Sequence, residues 1–339
     1  MTIYDIAKEA GVSIATVSRV LSGKDNVSQK TRQRVEAVMV KHDYAPSIIA
    51  RGMSSKSLKT VAIMALHFQE IHHMRIAHEI ESHFSQLDYN VIMYDTGTDL
   101  KNILRFFQRM RERAIDGIIF IGSAFQLLRD HPDEVKNIMD EIPVVIANGW
   151  VEGAYGILVD EGYGMRQVVD HLIGQGRGRL VYLKSSSTDS AQRKLTGFQS
   201  RIQEYGRDSS TTIIRTTHDL QDNLKLMERI IGEYPDCQAI IADEDITGVM
   251  AIKGLSRLGV RIPHDIAVTG YNNSEYAILS IPGMTSIDNL AGTQGELCAE
   301  LLTKLMTFGK ATDEEKKPTF MDLKPKLIIR ASSCPTLND

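Results

Sequence analysis

From residue 60 onward, short apolar runs alternate with segments whose apolar residues are spaced three and four positions apart. The apolar runs of strand length are "TVAIMAL", "NVIMYDT", "DGIIFIG", "PVVIANG", "GILVD", "RLVYLKS", "AIIAD" and "DIAVTGY". Helical spacing is clear around residues 72–87 and 100–113. Buried strands that alternate with amphipathic helices are typical of a parallel, doubly wound α/β sheet with helices on both faces.

The apolar runs fall into two sets of similar size, which predicts two lobes. We expect the second set to begin at "GILVD", residues 156–160. Ligands of doubly wound folds bind outside the carboxyl ends of the strands. A cleft between the two lobes is therefore the expected binding site.

The first 45 residues have a different pattern, with helical spacing in three short segments. Thr2 and Asp5 match a capping box at the start of the first segment, and Gly11 is placed to end it. Ser13 and Ser28 are placed to cap the second and third segments. Two short helices joined by a tight glycine-containing turn predict an all-α helix-turn-helix head.

The outer face of the second predicted helix is unusually slim. Its residues are Ser13, Ala15, Thr16, Ser18 and Arg19. A slim face can enter the major groove of DNA, where hydroxyls bond phosphates and an arginine reaches a base edge or a phosphate. The alternative is that the small residues let the first two helices pack closely.

Residues 46–59, "PSIIARGMSSKSLK", are partly apolar and basic, and they separate the two patterns. We therefore predict a helix-turn-helix DNA-binding domain over residues 1–45, a hinge over residues 46–59 and a two-lobed body over residues 60–334.

Charge is unevenly distributed along the 339 residues, whose formal net charge is −4. Residues 1–60 contain ten Lys and Arg against five Asp and Glu, so the rest of the chain is acidic. A basic head on an acidic body favours nucleic-acid binding by the head. Three widely spaced cysteines, no apolar run of membrane-spanning length and no signal-peptide pattern lead us to expect a cytoplasmic protein without a membrane partner.

The chain resembles the lactose-repressor (LacI/GalR) family of bacterial transcription regulators along nearly its whole length. The head carries "TIYDIAKEAGVSIATVSRVLSG", "VSQKTRQRVEAV" and "YAPSIIARGM". The body carries "IDGIIFIGS", "IPVVIANG", "AIIADEDITGVMAIKGLSRLGVRIPHDIAVTGY" and "KPKLIIRAS". The resemblance implies a regulator, most often a repressor, whose body binds a small sugar-like effector. It also implies a homodimer on a near-palindromic double-stranded operator, with a tetramer left open.

By this resemblance, base reading falls at the start of the second helix, on Ile14 and Ala15, which can touch thymine methyls. In the family the hinge wedges an apolar residue into the minor groove, and Met53 holds that position here. The alternative is that the hinge segment is a plain linker between the head and the body. The expected DNA-binding residues are Thr2, Tyr4, Ser13, Ile14, Ala15, Thr16, Ser18, Arg19, Ser28, Thr31, Ala50 and Met53.

The effector residues implied by the resemblance depart further from the family pattern. The family aspartate falls on Asp245, the family arginine falls on Lys194, and the family Asp-Asp pair is replaced from Asn272 onward. A lysine offers a point charge where an arginine offers a planar fork. The expected ligand-binding residues are His67, Phe68, Asn148, Trp150, Arg193, Lys194, Asp245 and Asn272.

Several of these residues also have purely structural interpretations. Asp245 is placed to cap the helix that follows it. Trp150 fits a core or interface position, and Arg193 with Lys194 fits a solvent-exposed pair. The alternative function is a sugar-binding protein without a DNA role. The sequence contains no P-loop or nucleophile-elbow pattern, so we expect no enzyme, no cofactor and no metal site.

Overall fold

The computed structural model describes residues 2–21, 26–44, 57–97, 99–123, 125, 128, 131–151, 153–207, 211–308 and 320–336. The expected minor-groove residues Ala50 and Met53, like most of the predicted hinge, lie outside these ranges.

The head folds as predicted within its described residues. Helix α1 spans Ile3–Ala10, α2 spans Ile14–Leu21 and α3 spans Gln29–Lys41. Each helix contributes a fully buried residue to one small core, namely Ile6, Val17 and Val35. A single apolar stripe on each short helix is enough to hold the three together, because helices of this length are marginal without tertiary packing.

The predicted helix boundaries of the head are confirmed by hydrogen bonds. The Asp5 carboxylate accepts bonds of 2.8 Å from both the backbone N–H and the hydroxyl of Thr2. Gly11 follows α1 in the left-handed conformation, with φ of +61°. The Ser28 hydroxyl accepts a 3.3 Å bond from the backbone N–H of Thr31.

The first lobe is built on a parallel sheet of six described strands. The strands are β1 (Thr60–Ala65), β2 (Asn90–Asp95), β3 (Gly117–Ile121), β4 (Val144–Ala147), β5 (Tyr155–Val159) and β11 (Phe320–Leu323), in the spatial order β11-β5-β4-β3-β1-β2. The helices packed with it are α4 (Ile71–Gln86), α5 (Leu100–Glu112), α6 (Pro132–Glu141) and α12 (Ala291–Phe308).

Both faces of this sheet are covered by helices. Ile63 of β1 packs with α4 and α12 on one face, whereas Met64 packs with α5 on the other, and both side chains are fully buried. Successive strand residues point to opposite faces, so a strand covered on both sides reads as one continuous apolar run. This arrangement confirms the predicted doubly wound sheet.

The second lobe repeats the architecture with six described strands. They are β6 (Leu180–Lys184), β7 (Thr211–Arg215), β8 (Ala239–Ala242), β9 (Ala267–Tyr271), β10 (Thr285–Asp288) and β12 (Lys326–Ile328), in the order β12-β10-β9-β8-β6-β7 with only the β10–β12 pair antiparallel. The associated helices are α7 (Glu161–Gly174), α8 (Asp189–Glu204), α9 (Leu220–Glu233), α10 (Asp245–Arg257) and α11 (Glu275–Leu279).

One prediction about the lobes is wrong. Strand β5 does not open the second set, because it pairs with β4 and belongs to the first sheet. The chain then crosses between lobes three times in the described residues: from β5 to α7, from β10 to α12 and from β11 to β12. An apolar run identifies a strand but does not say which sheet it joins.

Within the described ranges, no helix combines the length and the apolar character needed to cross a membrane.

Candidate functional site

The outer face of α2 is open to solvent. Ser13, Ile14, Ala15 and Arg19 are exposed, and 42% of the Ile14 surface is accessible. The opposite face, which carries Val17, is buried against α1 and α3. The helix therefore buries Val17 and Val20 in the core of the head and leaves small or polar residues outside, together with one larger apolar side chain, that of Ile14. The alternative was that the small residues let the first two helices pack closely. It does not apply to Ser13 and Ala15, because both are exposed.

The remaining head residues expected at DNA lie around this face with varied exposure. Thr2, Tyr4 and Ser28 are exposed, and Tyr4 has 66% of its surface accessible. Thr16, Ser18 and Thr31 are half-buried. The Ser13 and Thr16 hydroxyls lie 2.9 Å apart, and those of Ser28 and Thr31 lie 2.8 Å apart. A hydroxyl engaged in one such bond retains capacity for another, so a phosphate contact remains open to each.

A cavity of about 270 Å³ lies between the lobes at the carboxyl ends of their strands. Its lining from the first lobe is His67, Gln69, Glu70, Ile71 and His72. Its lining from the second lobe is His218, Glu244, Asp245, Ile246, Tyr271, Asn272, Ser274 and Tyr276. Of the residues expected at the effector, the structure thus brings His67, Asp245 and Asn272 to one cavity, as the fold predicts.

Asp245 lines this cavity, but its carboxylate is engaged by the protein. It accepts bonds of 2.6 Å from the Ser274 backbone N–H, 2.7 Å from the Ser274 hydroxyl and 2.6 Å from the Ser286 hydroxyl. Burial raises the pKa of Asp245 to about 6, against the lowering effect of these bonds. A methyl group at Gly270 would clash with the Asp245 carboxylate, so glycine is the residue that fits beneath it.

The interpretation of Asp245 as a helix cap is wrong. Glu244 occupies the N-cap position of α10, and Asp245 is the first residue of the helix. Its carboxylate instead joins α10 to the segments that follow β9 and contain β10. The side chain thereby fixes three parts of the second lobe at the edge of the cavity.

Lys194 is not part of a solvent-exposed pair, so that interpretation is also wrong. The residue is 4% exposed, and its ammonium donates a 2.9 Å bond to the Asp243 carbonyl. The same ammonium lies 4.4 Å from the centre of the Tyr271 ring. The carbonyl and the aromatic face both attract the cation and hold it in place. Lys194 therefore supports the cleft wall behind the cavity lining.

Arg193 and Asn148 meet at a residue that the sequence did not single out, Glu161 at the start of α7. Glu161 is fully buried and accepts a 2.9 Å bond from Asn148 of the first lobe. Arg193 donates to the other carboxylate oxygen at 2.7–2.9 Å, and the Ser190 hydroxyl also donates to Glu161. The network therefore connects the two lobes through one carboxylate. The sequence signal that could have identified Glu161 is the pair of acidic residues that directly follows an apolar strand in "GILVDEG".

A second contact joins the lobes between α4 and the segment that follows β9. Arg75 of α4 donates a 3.0 Å bond to the Asn273 carbonyl, and Arg330 donates to the side chain of the same residue.

Three asparagines near the cleft have positive φ: 58° at Asn148, 98° at Asn272 and 46° at Asn273. Asparagine tolerates this conformation better than other side chains, which suits sharp turns directly after strands.

Phe68 and Trp150 lie outside the lining of this cavity. Phe68 packs against the core between the first sheet and α4. The Trp150 ring lies 6.1 Å from the Phe320 ring, and its indole N–H is buried without a partner among the described residues. Phe68, which we expected at the ligand, is therefore packed against the core instead, and the contacts of Trp150 agree with its interpretation as a core or interface residue.

His218 and Glu244 form a further ion pair that the sequence did not predict. Their side chains approach to 3.1 Å in the second lobe. The bond to Glu244 raises the pKa of His218. Burial opposes ionisation of Glu244, but the bond from His218 and the charge of Lys194 outweigh it and lower the pKa of Glu244.

A helix-turn-helix head joined to a two-lobed body with a lined cleft defines a ligand-responsive DNA-binding regulator. The family model described as "Bacterial regulatory proteins, lacI family" matches residues 2–47. The model described as "Periplasmic binding protein-like domain" matches residues 169–333. An HTH-type transcriptional regulator of Lachnoclostridium phytofermentans is 30% identical over 338 residues, covering 98% of this chain and 99% of its own. The chain belongs to the lacI family of bacterial regulatory proteins.

Solved structures agree with this fold. The lac repressor dimer bound to operator and the anti-inducer ONPF has a TM-score of 0.85 at 21% identity, covering 98% of this chain and 99% of that one. The complex of the transcriptional regulator CelR with cellobiose has a TM-score of 0.67 at 25% identity, with the same coverage.

Proposed function

We propose that this chain binds a near-palindromic operator as a homodimer and changes its DNA affinity when a sugar or sugar derivative occupies the inter-lobe cleft. The observation that carries the proposal is the exposed outer face of α2, which presents Arg19 and whose opposite face contributes to the core of the head. An arginine on such a face is the commonest specific reader of guanine in the major groove. The regulator acts in the cytoplasm, where its DNA is, and no catalytic step is assigned to it.

The proposed DNA contacts follow the exposure of the head. Ile14, Ala15 and Arg19 read bases, while the hydroxyl residues and Tyr4 position the backbone. Residues 1–45 serve as the reading domain, residues 46–59 as the hinge and residues 60–334 as the effector and dimerisation body. Ala50 and Met53 are proposed to enter the minor groove.

An exposed apolar patch on the second lobe supports the proposed homodimer. Ile278, Leu279 and Ile281 have 57%, 78% and 83% of their surfaces accessible. Contiguous apolar residues of this exposure mark interaction surfaces, and a second copy of the chain is the occupant that a palindromic operator requires. We expect Leu279→Asp to shift the chain from dimer to monomer in sedimentation velocity. Arg257→Asp on α10 is the control for an added surface acid. An unchanged dimer in the Leu279 variant would place the interface elsewhere.

The cleft is proposed to take a compact polar ligand. The cellobiose complex of CelR supports a sugar, since that similar protein binds one. A ligand changes DNA affinity only if it binds one conformation of the body better than the other. The lining comes from both lobes, so a ligand there is sensitive to how the lobes are arranged.

Selection of duplexes from a random DNA library with the full chain tests the proposal. We expect enrichment of one near-palindromic sequence, because two heads of a symmetric dimer meet two half-sites. A sugar-binding protein without a DNA role would enrich no sequence. Enrichment of a single unrepeated half-site would contradict the dimer but not the DNA-binding head.

A further inference from the structure

The charges that face the inter-lobe cavity are unbalanced. Three carboxyl groups line it, those of Glu70, Glu244 and Asp245, whereas no lysine or arginine stands among its lining residues in the described chain. Lys194 lies behind the wall and is held by the Asp243 carbonyl and the Tyr271 ring. The basic side chains among the described lining residues are therefore histidines only.

The two more accessible carboxylates come from opposite lobes. Glu70 precedes α4 of the first lobe and has 47% of its side chain exposed, while Glu244 precedes α10 of the second lobe and has 19% exposed. Their present partners are His73, 3.4 Å from Glu70, and His218, 3.1 Å from Glu244. Glu70, His218 and Glu244 line the same cavity, and the negative charge of Glu70 contributes to the raised pKa of His218, the partner of Glu244.

A buried side chain on the first-lobe wall is left incompletely bonded. His72 lines the cavity and is only 7% exposed, and its Nδ1 has no partner among the described residues. Its other nitrogen, Nε2, lies 3.5 Å from the Asn289 side-chain nitrogen. A buried polar atom without a partner is costly, and a ligand with donors and acceptors can relieve that cost when the lobes rearrange around it.

Size and charge together define the ligand class. Pockets for drug-sized ligands usually measure about 300–1,000 Å³, so a cavity of about 270 Å³ favours a compact molecule. A phosphate or carboxylate would meet carboxylates without a lysine or arginine to balance it, whereas an ammonium group would meet two carboxylates. We propose that the cavity takes an amino sugar, a compact ligand whose ammonium group binds Glu70 of the first lobe and Glu244 of the second.

This inference rests on the proposed function and gives it a mechanism. A cation between the two carboxylates replaces their mutual repulsion with two attractions and so favours the arrangement in which the lobes approach. That differential affinity is what an effector needs in order to alter DNA binding.

Isothermal titration calorimetry of the full chain with D-glucosamine, D-glucose and D-glucose 6-phosphate tests the charge preference. We expect D-glucosamine to bind about tenfold more tightly than D-glucose, the scale of one charge-assisted hydrogen bond, and D-glucose 6-phosphate to bind most weakly. The Glu70→Gln and Glu244→Gln variants should each lose most of the preference for D-glucosamine. Glu81→Gln, an exposed position on α4, is the matched control and should retain it.

Other outcomes overturn the inference and are distinguishable from failure of the proposed function. Equal binding of D-glucosamine and D-glucose, or tighter binding of the phosphate, would leave a sugar-responsive regulator but contradict the charge preference. Absence of binding by all three probes would also overturn the inference, while the selection of an operator from random DNA would still decide the proposed function. A D-glucosamine preference that survives in both glutamine variants would remove Glu70 and Glu244 from the site.

Discussion

The outer face of α2 and the inter-lobe cleft place their polar residues in opposite situations. Arg19 on α2 and Ser13 just before it are exposed, and the Ser13 hydroxyl bonds to Thr16 in the next turn of the chain. Asp245 and Lys194 in the cleft are 2% and 4% exposed and bonded to other parts of the body. A polar residue at a family binding position can therefore be available for a ligand or already committed to the fold, and only its contacts distinguish the two.

The largest expected effect lies in the cleft. Asp245→Ala removes the acceptor of three buried hydrogen bonds and leaves the donors of Ser274 and Ser286 unpaired. Each unpaired buried group costs about 1–3 kcal/mol, so we expect the free energy of unfolding to fall by about 3–5 kcal/mol in denaturant titrations. An unchanged midpoint would show that the carboxylate is available to a ligand rather than committed to the fold.

Replacement of Arg19 on α2 should leave the free energy of unfolding nearly unchanged and should weaken only DNA binding. Arg19→Ala removes an exposed side chain, so we expect a change in unfolding free energy within about 0.5 kcal/mol. Operator affinity should fall by about 1–3 kcal/mol if the guanidinium contacts a guanine. Lys30→Ala on the exposed start of α3 is the matched loss of one positive charge. Equal losses in both variants on specific and scrambled DNA would reduce Arg19 to a phosphate contact.

A smaller effect concerns the pH dependence of the cleft. Burial, followed by repulsion from Glu244, raises the pKa of Asp243 from 3.8 to about 6. A carboxyl with a raised pKa in the folded state contributes stability below pH 4, and this contribution is lost as pH rises through about 6. An asparagine cannot titrate, so the Asp243→Asn variant does not lose this contribution as pH rises. Its melting temperature should therefore rise relative to that of the parent chain between pH 4 and pH 7, by about 2–4 °C for each kcal/mol of unfolding free energy that the parent chain loses. A constant difference across this range would contradict the raised pKa.

The same comparison explains how far sequence reasoning reaches. The head depends on local patterns, so Thr2, Gly11 and Ser28 predicted its helix boundaries and Val17 its buried face. The doubly wound lobes follow from apolar runs, but the assignment of β5 failed because strand partners are set by tertiary pairing.

The cleft was predictable in position but not in chemistry. The carboxyl ends of the strands located Asp245 and Asn272 at one cavity. The role of Glu161 depends on Asn148, Ser190 and Arg193, which converge on it from both lobes. Such a network has no local signature, since its members are far apart in the chain and are brought together only by packing.

The most direct test of the account is the ratio of dissociation constants for the selected operator and a scrambled duplex of equal length. Fluorescence anisotropy with the full chain, at about 0.15 M salt, measures both under one screening condition. The account predicts that the operator binds at least about 10³-fold more tightly, the lower end of specific recognition. A ratio near one at the same salt would contradict a DNA-reading head and leave only non-specific attraction to its basic charge.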